Sequence, residues 1–456
     1  MKFKPIELED KAIIESFTYR YNLCNCDLAF SNMYAWRNTY HTAWTIVDNF
    51  LIIRFYVDGS HRIAYLQPLG DGDFTHLIPL LEKDAKTNGQ CLRITDCTPE
   101  GVAMIRRTHP EFGFWDNRDL DDYVYNASDL RNLEGRRYQQ KRNHINKFED
   151  NYKYEYHPLT AEMIEECLHL ECEWCSNRSD KMDKLSAEQL SIRLALENFD
   201  ALHLIGGTLY VDDKMIAFTY GSAINDNSFD THVEKANTAY DGVFPVINKL
   251  FTKHLPENFI YINREEDLGI EGLRKSKQSY HPAFLQKKII GYKFDKRQVR
   301  IKALWKDVFG DDDLIIEQYL INHYSPCCTF THSEGDVIVA MVHFIPIGDV
   351  AYIYAVATAV EYRDRGLCAD LMQKALNFAR KKGLRMAALI PQEEWLKKYY
   401  AQFGFVDTQT PVTFNVWDGY DFGTGNTSKD IAMTLCFDDT KFTDESLVLN
   451  ILEDIC

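Results

Sequence analysis

The segment Ala351–Leu371, AYIYAVATAVEYRDRGLCADL, limits the possible folds more than any other part of the chain. An apolar run typical of a buried strand leads into an arginine-rich loop, and residues at helical spacing begin directly after Gly366. The first N–H groups of a helix have no partner within the helix, so this junction is suited to an anion such as pyrophosphate. Gly366 lets a ligand approach the backbone, and Arg363 and Arg365 add positive charge. The alternative is a plain turn between a strand and a helix.

The elements predicted on both sides of this loop favour the phosphate-binding interpretation. Before it, apolar residues at helical spacing predict two helices, and two apolar runs separated by a glycine turn predict a hairpin. After it, we expect a helix, a short buried strand and a second helix. In chain order these are helices at Ile301–Phe309 and Leu314–Asn322, strands at Val337–Pro346 and Ala351–Val360, a helix at Leu367–Ala379, a strand at Leu384–Ile390, and a helix through Trp395 and Tyr399.

The motifs RDRGLC and YYAQFGF, in this order of elements, resemble the GNAT superfamily of acyl-CoA-dependent N-acyltransferases over about residues 295–456. The resemblance implies that acetyl-CoA or another acyl-CoA is the co-substrate. It places the pyrophosphate on a six-residue loop in which a cysteine replaces the Gly or Ala of the family. The loop residues are Arg363, Asp364, Arg365, Gly366, Leu367 and Cys368.

The same resemblance implies a catalytic role for Tyr400, which lies one helical turn before Gly404-Phe405. Family members often use a tyrosine there to protonate the departing thiolate, and a phenol can donate a proton at neutral pH. The alternative is that Tyr400 only packs its helix on the sheet. The general base is not identified: His343 would titrate near neutrality, but a single histidine on a strand is more often structural.

Composition and charge exclude several classes of protein. The chain has 456 residues, enough for about three domains, and a net charge of −17, which argues against broad binding to nucleic acid. The sequence has no apolar run long enough to span a membrane, and its charged N-terminus does not resemble a signal peptide. Cys172-x-x-Cys175 lies on a predicted helix without a second pair of ligands. We therefore expect a reduced, cytoplasmic protein with no metal site and no membrane partner.

The first 294 residues contain two further hairpin-rich regions, neither of which carries an Arg/Gln-x-x-Gly-x-Gly loop. The predicted fold is α/β (α+β), with GNAT-like units at residues 1–134, 135–294 and 295–456, each a mixed, mostly antiparallel sheet flanked by helices. The first region predicts strands at Thr45–Tyr56, Arg62–Gln67 and Cys91–Thr95; the second predicts strands at Leu202–Val211, Met215–Ala223 and Phe229–Val233 and a helix at Val243–His254.

The middle region also resembles a bacterial family of uncharacterised proteins. The resemblance rests on GRRYQQKRNHINKF (Gly135–Phe148), GGTLYVDDKMIAFTYGSAIN (Gly206–Asn225), HVEKA (His232–Ala236) and INREEDLGIEGLRKSKQSYHP (Ile262–Pro282), and covers about residues 1–293. That family is related to the C-terminal domain of phosphatidylglycerol lysyltransferase and shares tandem GNAT-like folds with Fem-type aminoacyltransferases. The resemblance implies transfer of an aminoacyl group from a charged tRNA to an amine or hydroxyl acceptor.

This second resemblance assigns two sets of charged residues to substrate binding. Basic side chains would contact tRNA phosphates, and acidic side chains would hold an ammonium group. The segment Asn263–Asp267 follows a predicted strand, where polar residues often face a cleft, although acidic and basic residues along a helix can also simply pair. The basic residues are Arg142, Arg274 and Lys275, with Lys141 and Lys277; the acidic residues are Glu234, Glu265, Glu266 and Asp267. Arg264, within the segment Asn263–Asp267, is also expected to bind substrate.

Three functions remain open, and we expect the first. An acyl-CoA-dependent N-acyltransferase would move an acetyl or short acyl group to a primary amine of a small molecule or peptide, by direct transfer without a protein nucleophile. In that case the first 294 residues would bind a second substrate. The first alternative is an aminoacyl-tRNA-dependent aminoacyltransferase that uses the middle region. The second is a non-catalytic protein that binds an amino compound or serves as a scaffold.

Overall fold

The computed structural model describes residues 1–21, 23–57, 62–176, 182–415, 431–438 and 447–450. Contacts between Cα atoms divide the chain into two compact units. Met1–Met104 and Asp116–Ile290 form the first unit, and Ile105–Trp115 and Gly291–Cys456 form the second. No helix within the described ranges has the length and apolar character needed to cross a lipid bilayer.

The strands are numbered in chain order. They are β1 (Lys4–Pro5), β2 (Ala43–Val47), β3 (Phe50–Tyr56), β4 (Ile63–Leu66), β5 (Arg93–Cys97), β6 (Phe112–Asp116), β7 (Asp122–Asn126), β8 (Tyr154–Pro158), β9 (Ile205–Val211), β10 (Lys214–Ala223), β11 (Ser228–Ala236), β12 (Tyr261–Asn263), β13 (Phe284–Gln286), β14 (Ile289–Lys293), β15 (Thr329–Glu334), β16 (Val337–Ile347), β17 (Val350–Thr358), β18 (Met386–Leu389), β19 (Val406–Asn415), β20 (Ile431–Cys436) and β21 (Leu447–Asn450).

The helices are numbered in the same way. They are α1 (Lys11–Thr18), α2 (Phe30–Ala35), α3 (Arg37–Tyr40), α4 (Ile78–Thr87), α5 (Pro99–Thr108), α6 (Ala127–Asn132), α7 (Gln139–Asn151), α8 (Ile164–Ser176), α9 (Met182–Glu197), α10 (Val243–His254), α11 (Glu271–Gln278), α12 (Lys296–Phe309), α13 (Asp313–Asn322), α14 (Leu367–Lys381) and α15 (Glu394–Ala401).

The first unit contains two sets of paired strands. In one, β1 to β5 lie side by side in chain order, antiparallel except for the pair β4 and β5. In the other, the order is β13-β7-β12-β11-β10-β9-β8, antiparallel except for β11 and β12. Side chains from both, such as Leu51 and Phe218, share one hydrophobic core. Strand β7 lies in the second set although it precedes residue 134, and the predicted unit boundaries stay a prediction.

One predicted strand is wrong. Thr45–Tyr56 was expected to be a single strand, but the structure forms β2 and β3, which are joined by a two-residue turn at Asp48-Asn49. The φ angles of 49° and 64° are left-handed, and Asp and Asn tolerate this conformation better than other non-glycine residues. The sequence did not reveal this turn, because apolar residues on both sides of it read as one continuous strand. The predicted turn at Asp58-Gly59-Ser60 lies outside the described residues.

The second unit has a mixed sheet with helices on both faces, which confirms the predicted fold class. The strand order is β15-β16-β17-β18-β20-β19-β21, with β17 parallel to β18 and β19 parallel to β21. Alternate residues of β16 face opposite sides: Met341 and Ile345 pack in the core that contains α12 and α13, and Val342 and Phe344 pack against α14. The elements predicted between Ile301 and Tyr399 are all present, with ends shifted by a few residues.

A buried carboxylate attaches the segment Ile105–Trp115 to the second unit. Glu317 on α13 is 0% exposed and accepts two hydrogen bonds from Arg106, at 2.8 and 2.7 Å. It also accepts one from the Phe114 N–H at 2.9 Å and one from Lys302. Four donors therefore compensate the burial of this single charge.

A strand, a helix and a parallel strand recur in all three sheets. The three copies are β4–α4–β5, β11–α10–β12 and β17–α14–β18. In the third copy the parallel pairing covers only Val350–Tyr352 and Met386–Ala388, although β17 continues to Thr358. The two strands therefore separate, and the backbone of β17 beyond Tyr352 has no paired strand on that side among the described residues.

Candidate functional site

The predicted phosphate-binding loop lies where β17 passes into α14. A bulge interrupts the pairing of β17 with β16, because Ala355 and Val356 together lie opposite the single residue Val342. Gly366 is the N-cap residue of α14 and has a left-handed φ of 75°, which glycine adopts without strain. A Cβ atom placed on Gly366 would meet nothing within 4 Å. The first N–H groups of α14 are thus open to a ligand.

The corresponding helix of the first unit begins differently. Gly242 is the N-cap residue of α10 and has a similar φ of 88°. A Cβ atom there would lie 2.5 Å from the backbone oxygen of His144 and 3.3 Å from Cβ of Phe148, both on α7. Helix α7 thus covers the N-terminus of α10, and an anion cannot approach it.

Two arginines are held beside the open loop through backbone contacts. The Nε atom of Arg363 donates to the carbonyl of Thr358 at 3.3 Å, and Arg365 donates to the carbonyl of Glu361 at 2.9 Å while stacking over Tyr362. Neither guanidinium forms an ion pair within the described ranges, so both keep their charge available. Asp364 between them has a left-handed φ of 59° and is exposed.

Behind the loop, four polar side chains lie close together. Cys368 is partly buried in the core beneath α14, and burial raises the pKa of its thiol. The hydroxyl groups of Thr358 and Tyr399 are buried, and both interact with the Cys368 thiol. Tyr400 is 7% exposed, and burial together with the nearby Cys368 raises the pKa of both tyrosines. These phenols are protonated at neutral pH and can act as proton donors.

His343 is an unsuitable general base. It is 0% exposed in the core of the second unit, beside Trp305 and Tyr319, and Nδ1 lies 3.0 Å from the Thr329 hydroxyl. Burial lowers the pKa of His343 to about 3. The structural interpretation of this histidine therefore fits its environment.

In the first unit, the predicted segment Asn263–Asp267 is held by two side chains. Lys277 donates to the carbonyls of Arg264, Glu265 and Glu266, which lie within 3.1 Å of its amino group. The Asn263 oxygen accepts from the N–H of Glu265 at 2.6 Å, and Glu265 has a left-handed φ of 57°. This local geometry directs Glu265 and Glu266 toward other carboxylates from distant parts of the chain.

We call these residues the acidic cluster. It consists of Asp27, Asp96, Asp122, Asp230, Glu265 and Glu266, with the basic residues Lys288 and His232 and the thiol of Cys26.

One half of the acidic cluster surrounds Lys288. Its amino group lies 2.7 Å from Asp122, 2.8 Å from Asp27 and 3.5 Å from Glu266, and donates to the Cys26 sulfur at 3.1 Å. Burial disfavours the charged amine, but these carboxylates raise the pKa of Lys288, so it is charged. Asp122 is 0% exposed, whereas Asp27 and Glu266 keep 42% and 24% of their side-chain surface exposed. A solute can therefore reach the carboxylates.

The other half of the acidic cluster surrounds His232. Its Nδ1 atom lies 3.2 Å from Asp230 and 3.4 Å from Glu265, and its Nε2 atom lies 2.9 Å from the hydroxyls of both Ser31 and Ser222. Burial lowers the pKa of His232, but Asp230 and Glu265 raise it to about 10. Burial and the nearby Asp230 raise the pKa of Glu265 to about 7.

The other predicted substrate-binding residues lie outside the acidic cluster. Arg264 pairs with Glu234 at 3.0 Å, next to Lys141, and burial together with Arg264 lowers the pKa of Lys141 to about 8.

Asp267 and Arg274 form a second closed network. Asp267 accepts two hydrogen bonds from Arg274 at 2.9 Å and one from Tyr123 at 2.6 Å. Arg142 donates to the carbonyls of Leu133 and Gly135, and Lys275 is exposed on α11. Of this predicted set, only Glu265 and Glu266 therefore lie in the acidic cluster, and the substrate-binding roles of all these residues stay predictions.

Sequence reasoning missed most of the acidic cluster. Asp230 and His232 form an Asp-x-His pair on β11, and such a pair could have drawn attention because alternate residues of a strand share a face. The pairing of β10 with β11 skips His232, since Tyr220 lies opposite Val233 and Gly221 lies opposite Thr231. This bulge re-aims the imidazole.

Comparison with known proteins now identifies the family. The model of the phosphatidylglycerol lysyltransferase C-terminal family matches residues 19–292. The chain belongs to this family. The model of the GNAT acetyltransferase family matches residues 299–405. Both matches are to acyltransferases, so the lysyltransferase-like chain is an acyltransferase with a C-terminal GNAT domain, as predicted.

Solved structures similar to this family member include the following three. A conserved protein of unknown function from Bacteroides thetaiotaomicron is 42% identical, covers 64% of this chain and 99% of its own, and has a TM-score of 0.62. L-PGS from Bacillus licheniformis is 14% identical, with 64% and 92% coverage and a TM-score of 0.45. An Escherichia coli GNAT-family N-acetyltransferase in complex with CoA is 13% identical, with 34% and 83% coverage and a TM-score of 0.27. No protein of curated function matches in sequence.

Proposed function

We propose that the second unit transfers an acetyl or short acyl group from acyl-CoA to a primary amine of a small molecule or peptide, while the first unit binds a second substrate. The observation that carries this proposal is the open N-terminus of α14 at Gly366, beside Arg363 and Arg365. A pyrophosphate there would accept hydrogen bonds from backbone N–H groups and face two guanidinium charges.

The separation of β17 from β18 supports the same ligand. Beyond Tyr352, the β17 backbone has no paired strand on the β18 side within the described residues. The pantetheine arm of CoA carries amide groups, and an open strand edge can bind an extended amide chain through main-chain hydrogen bonds. Because α14 starts where β17 ends, one extended ligand could use both features.

The chemistry requires one proton donor and no protein nucleophile. The acceptor amine attacks the thioester carbonyl, the carbon–sulfur bond breaks, the thiolate takes a proton from the donor, and the nitrogen releases one proton to solvent as the amide forms. Tyr400 is our proposed donor, and Tyr399, whose buried hydroxyl lies beside the Cys368 thiol, is the second candidate. Tyr400→Phe should leave acetyl-CoA affinity nearly unchanged and lower kcat by about 100-fold or more. Unchanged kcat would exclude Tyr400, and a loss confined to Tyr399→Phe would transfer the role to Tyr399.

The binding site itself can be tested by calorimetry with acetyl-CoA and the full-length chain. Gly366→Glu should abolish binding, since it places bulk and negative charge against the pyrophosphate. Gly310→Glu is the matched control: Gly310 caps the end of α12, has a φ of 72°, and a Cβ atom there would also meet nothing within 4 Å. Equal affinity in wild type and Gly366→Glu, or equal loss in both variants, would refute the site.

The acidic cluster favours aminoacyl transfer from a charged tRNA as a second candidate function. Membership of a lysyltransferase family supports it, and the exposed carboxylates of Asp27 and Glu266 offer a place for an ammonium group. In an assay that follows labelled amino acid from charged tRNA to an amine acceptor, Glu266→Gln should reduce transfer. The absence of any transfer from charged tRNA by the wild-type protein, or equal transfer by Glu266→Gln, would exclude this candidate.

Binding of tRNA tests the basic residues separately. Charge reversal at Arg142 and Lys275 should weaken tRNA binding and reduce its dependence on salt, because each phosphate contact releases counterions. Lys374→Glu, on α14 of the second unit, is the control for a lysine outside this region. An unchanged salt dependence in the Arg142 and Lys275 variants would rule out phosphate contacts there.

A further inference from the structure

One lysine of the first unit lies beside a second cation and has no carboxylate of its own. Lys141 is in the first turn of α7, and its amino group lies 3.8 Å from the centre of the Tyr280 ring. The guanidinium of Arg264 lies 4.9 Å from the centre of the same ring. Lys141 forms no ion pair among the residues that the structure describes, because the nearby Glu234 pairs with Arg264 at 3.0 Å. Two cations therefore share one carboxylate.

This arrangement disfavours the charged form of Lys141. Burial removes water from the ammonium group, the Arg264 guanidinium repels it, and the N-terminus of α7 carries a partial positive charge. The ring of Tyr280 attracts cations, but arginine cannot lose its proton in a protein, so Lys141 is the group that becomes neutral. Glu234 opposes this only in part, since it also accepts a hydrogen bond from the Asn248 amide at 3.1 Å. Together these effects lower the pKa of Lys141 from 10.5 to about 8.

We propose that Lys141 is a modification site, at which the amine of the side chain reacts with an acyl thioester and forms a stable amide. The neutral amine attacks the thioester carbonyl carbon, the carbon–sulfur bond breaks, the leaving thiolate takes up one proton, and the nitrogen releases one proton to solvent. The product is uncharged, so it is no longer repelled by Arg264. Lys141 is only partly buried, so a small thioester can reach the amine.

A second lysine of the first unit shows that burial alone does not make an amine reactive. Burial also lowers the pKa of Lys277. Its amino group, however, donates to the carbonyls of Arg264, Glu265 and Glu266. Three acceptors thus take up the three hydrogens of the ammonium group, and no lone pair is available to attack a carbonyl. Lys141 has no hydrogen-bond acceptor of this kind within the described ranges, which distinguishes it from Lys277.

This modification site is independent of the acyl-CoA site proposed for the second unit. S-acetyl-N-acetylcysteamine carries an acetyl thioester without the nucleotide and pyrophosphate of CoA. Its reaction with Lys141 therefore does not require the loop at Gly366, and either proposal can fail without the other.

The test is competitive acetylation of the folded, full-length chain with S-acetyl-N-acetylcysteamine at pH 7.5. After a short reaction the chain is unfolded in urea, the remaining amines are blocked with deuterated acetic anhydride, and trypsin cleaves at the arginines. Lys141 is the only lysine between Arg137 and Arg142, so mass spectrometry of this peptide gives the fraction of Lys141 that reacted.

Lys374 is the matched control. Its side chain is 59% exposed, and it is the only lysine between Arg365 and Arg380. At pH 7.5 about a quarter of Lys141 is neutral, against about 0.1% of a lysine with the ordinary pKa of about 10.4. A less basic and partly buried amine is also a weaker nucleophile, so we expect Lys141 to react at least about 10-fold faster than Lys374.

The preference for Lys141 should disappear when the same reaction is carried out in urea, because it depends on folded neighbours. Arg264→Gln should reduce it, since Glu234 is then free to pair with Lys141 and the repulsion is removed. Circular dichroism checks that this variant folds. Equal rates at Lys141 and Lys374 in the folded wild type, a preference that persists in urea, or an unchanged preference in folded Arg264→Gln would overturn the proposal.

Discussion

Alanine substitution at two glycines distinguishes an open helix N-terminus from a covered one. Gly366 and Gly242 are N-cap residues with left-handed φ angles of 75° and 88°. For both, alanine in this conformation costs about 1–2 kcal/mol, partly offset by about 0.4–1 kcal/mol from the lower entropy of the unfolded chain. The shared net cost is thus about 1 kcal/mol.

The two sites differ in what the new methyl group meets. A Cβ atom on Gly366 would have no neighbour within 4 Å. A Cβ atom on Gly242 would lie 2.5 Å from the backbone oxygen of His144, which is much shorter than the ordinary contact distance of 3.4–4 Å. A carbonyl on α7 cannot rotate away as a side chain could, so the helix must shift. Overpacking of this kind costs about 1–3 kcal/mol. We therefore expect a destabilisation of about 1 kcal/mol for Gly366→Ala and about 2–4 kcal/mol for Gly242→Ala.

Native-state hydrogen exchange measured by mass spectrometry suits this comparison, because it reports the opening free energy of each unit separately. Peptides from α10 should lose protection in Gly242→Ala, and peptides from α14 should lose much less in Gly366→Ala. Acetyl-CoA affinity should fall only in Gly366→Ala. Equal destabilisation at the two positions would refute the contrast between a covered and an open helix N-terminus.

Two further predictions concern the second unit. Glu317→Gln should lower the free energy of unfolding of the second unit by about 3–5 kcal/mol, measured by urea denaturation, because Arg106 and Lys302 lose a fully buried counter-charge. The control is Asp336→Asn, since the Asp336 side chain is 94% exposed, and this change should alter the same free energy by less than about 0.5 kcal/mol. Burial lowers the pKa of His323 from 6.5 to about 4 and the pKa of His343 from 6.5 to about 3, so the unfolded state binds more protons than the folded state below pH 6.5. The free energy of unfolding should therefore fall as the pH falls, by up to about 2.7 kcal/mol per pH unit. His343→Gln should halve this slope, and an unchanged slope would contradict the linkage.

The sequence predicted the second unit well because its features are local. The strand, the loop and the helix around Gly366 are contiguous, so apolar periodicity and one glycine place them without knowledge of the rest of the fold. The β2–β3 hairpin was missed although Asp48 and Asn49 are residue types common in turns, because apolar residues on both sides continue the strand pattern across them.

The acidic cluster could not be predicted in the same way. Asp27, Asp122, Asp230 and Lys288 are far apart in the chain and meet only when the two sheets of the first unit pack together. Even within the predicted segment Asn263–Asp267 the side chains have different partners, because Glu265 lies in the acidic cluster while Asp267 pairs with Arg274. The direction of each side chain depends on the carbonyl contacts of Lys277, which no periodicity encodes.

The repeated crossover and the distribution of charge together limit where an anionic ligand can bind. Of the three copies, β11–α10–β12 has a helix N-terminus that α7 covers. The same part of the chain also contributes residues to the acidic cluster, in which six carboxyl groups face two basic side chains. The phosphates of CoA would be repelled there, whereas the loop at Gly366 carries two arginines without ion pairs in the described ranges. The acidic cluster is suited instead to a cation. The sheet that contains β11 and β12 has a similar crossover, but its helix N-terminus is covered and the carboxylates nearby are in excess. If the second unit binds acyl-CoA, this sheet therefore cannot provide a second acyl-CoA site.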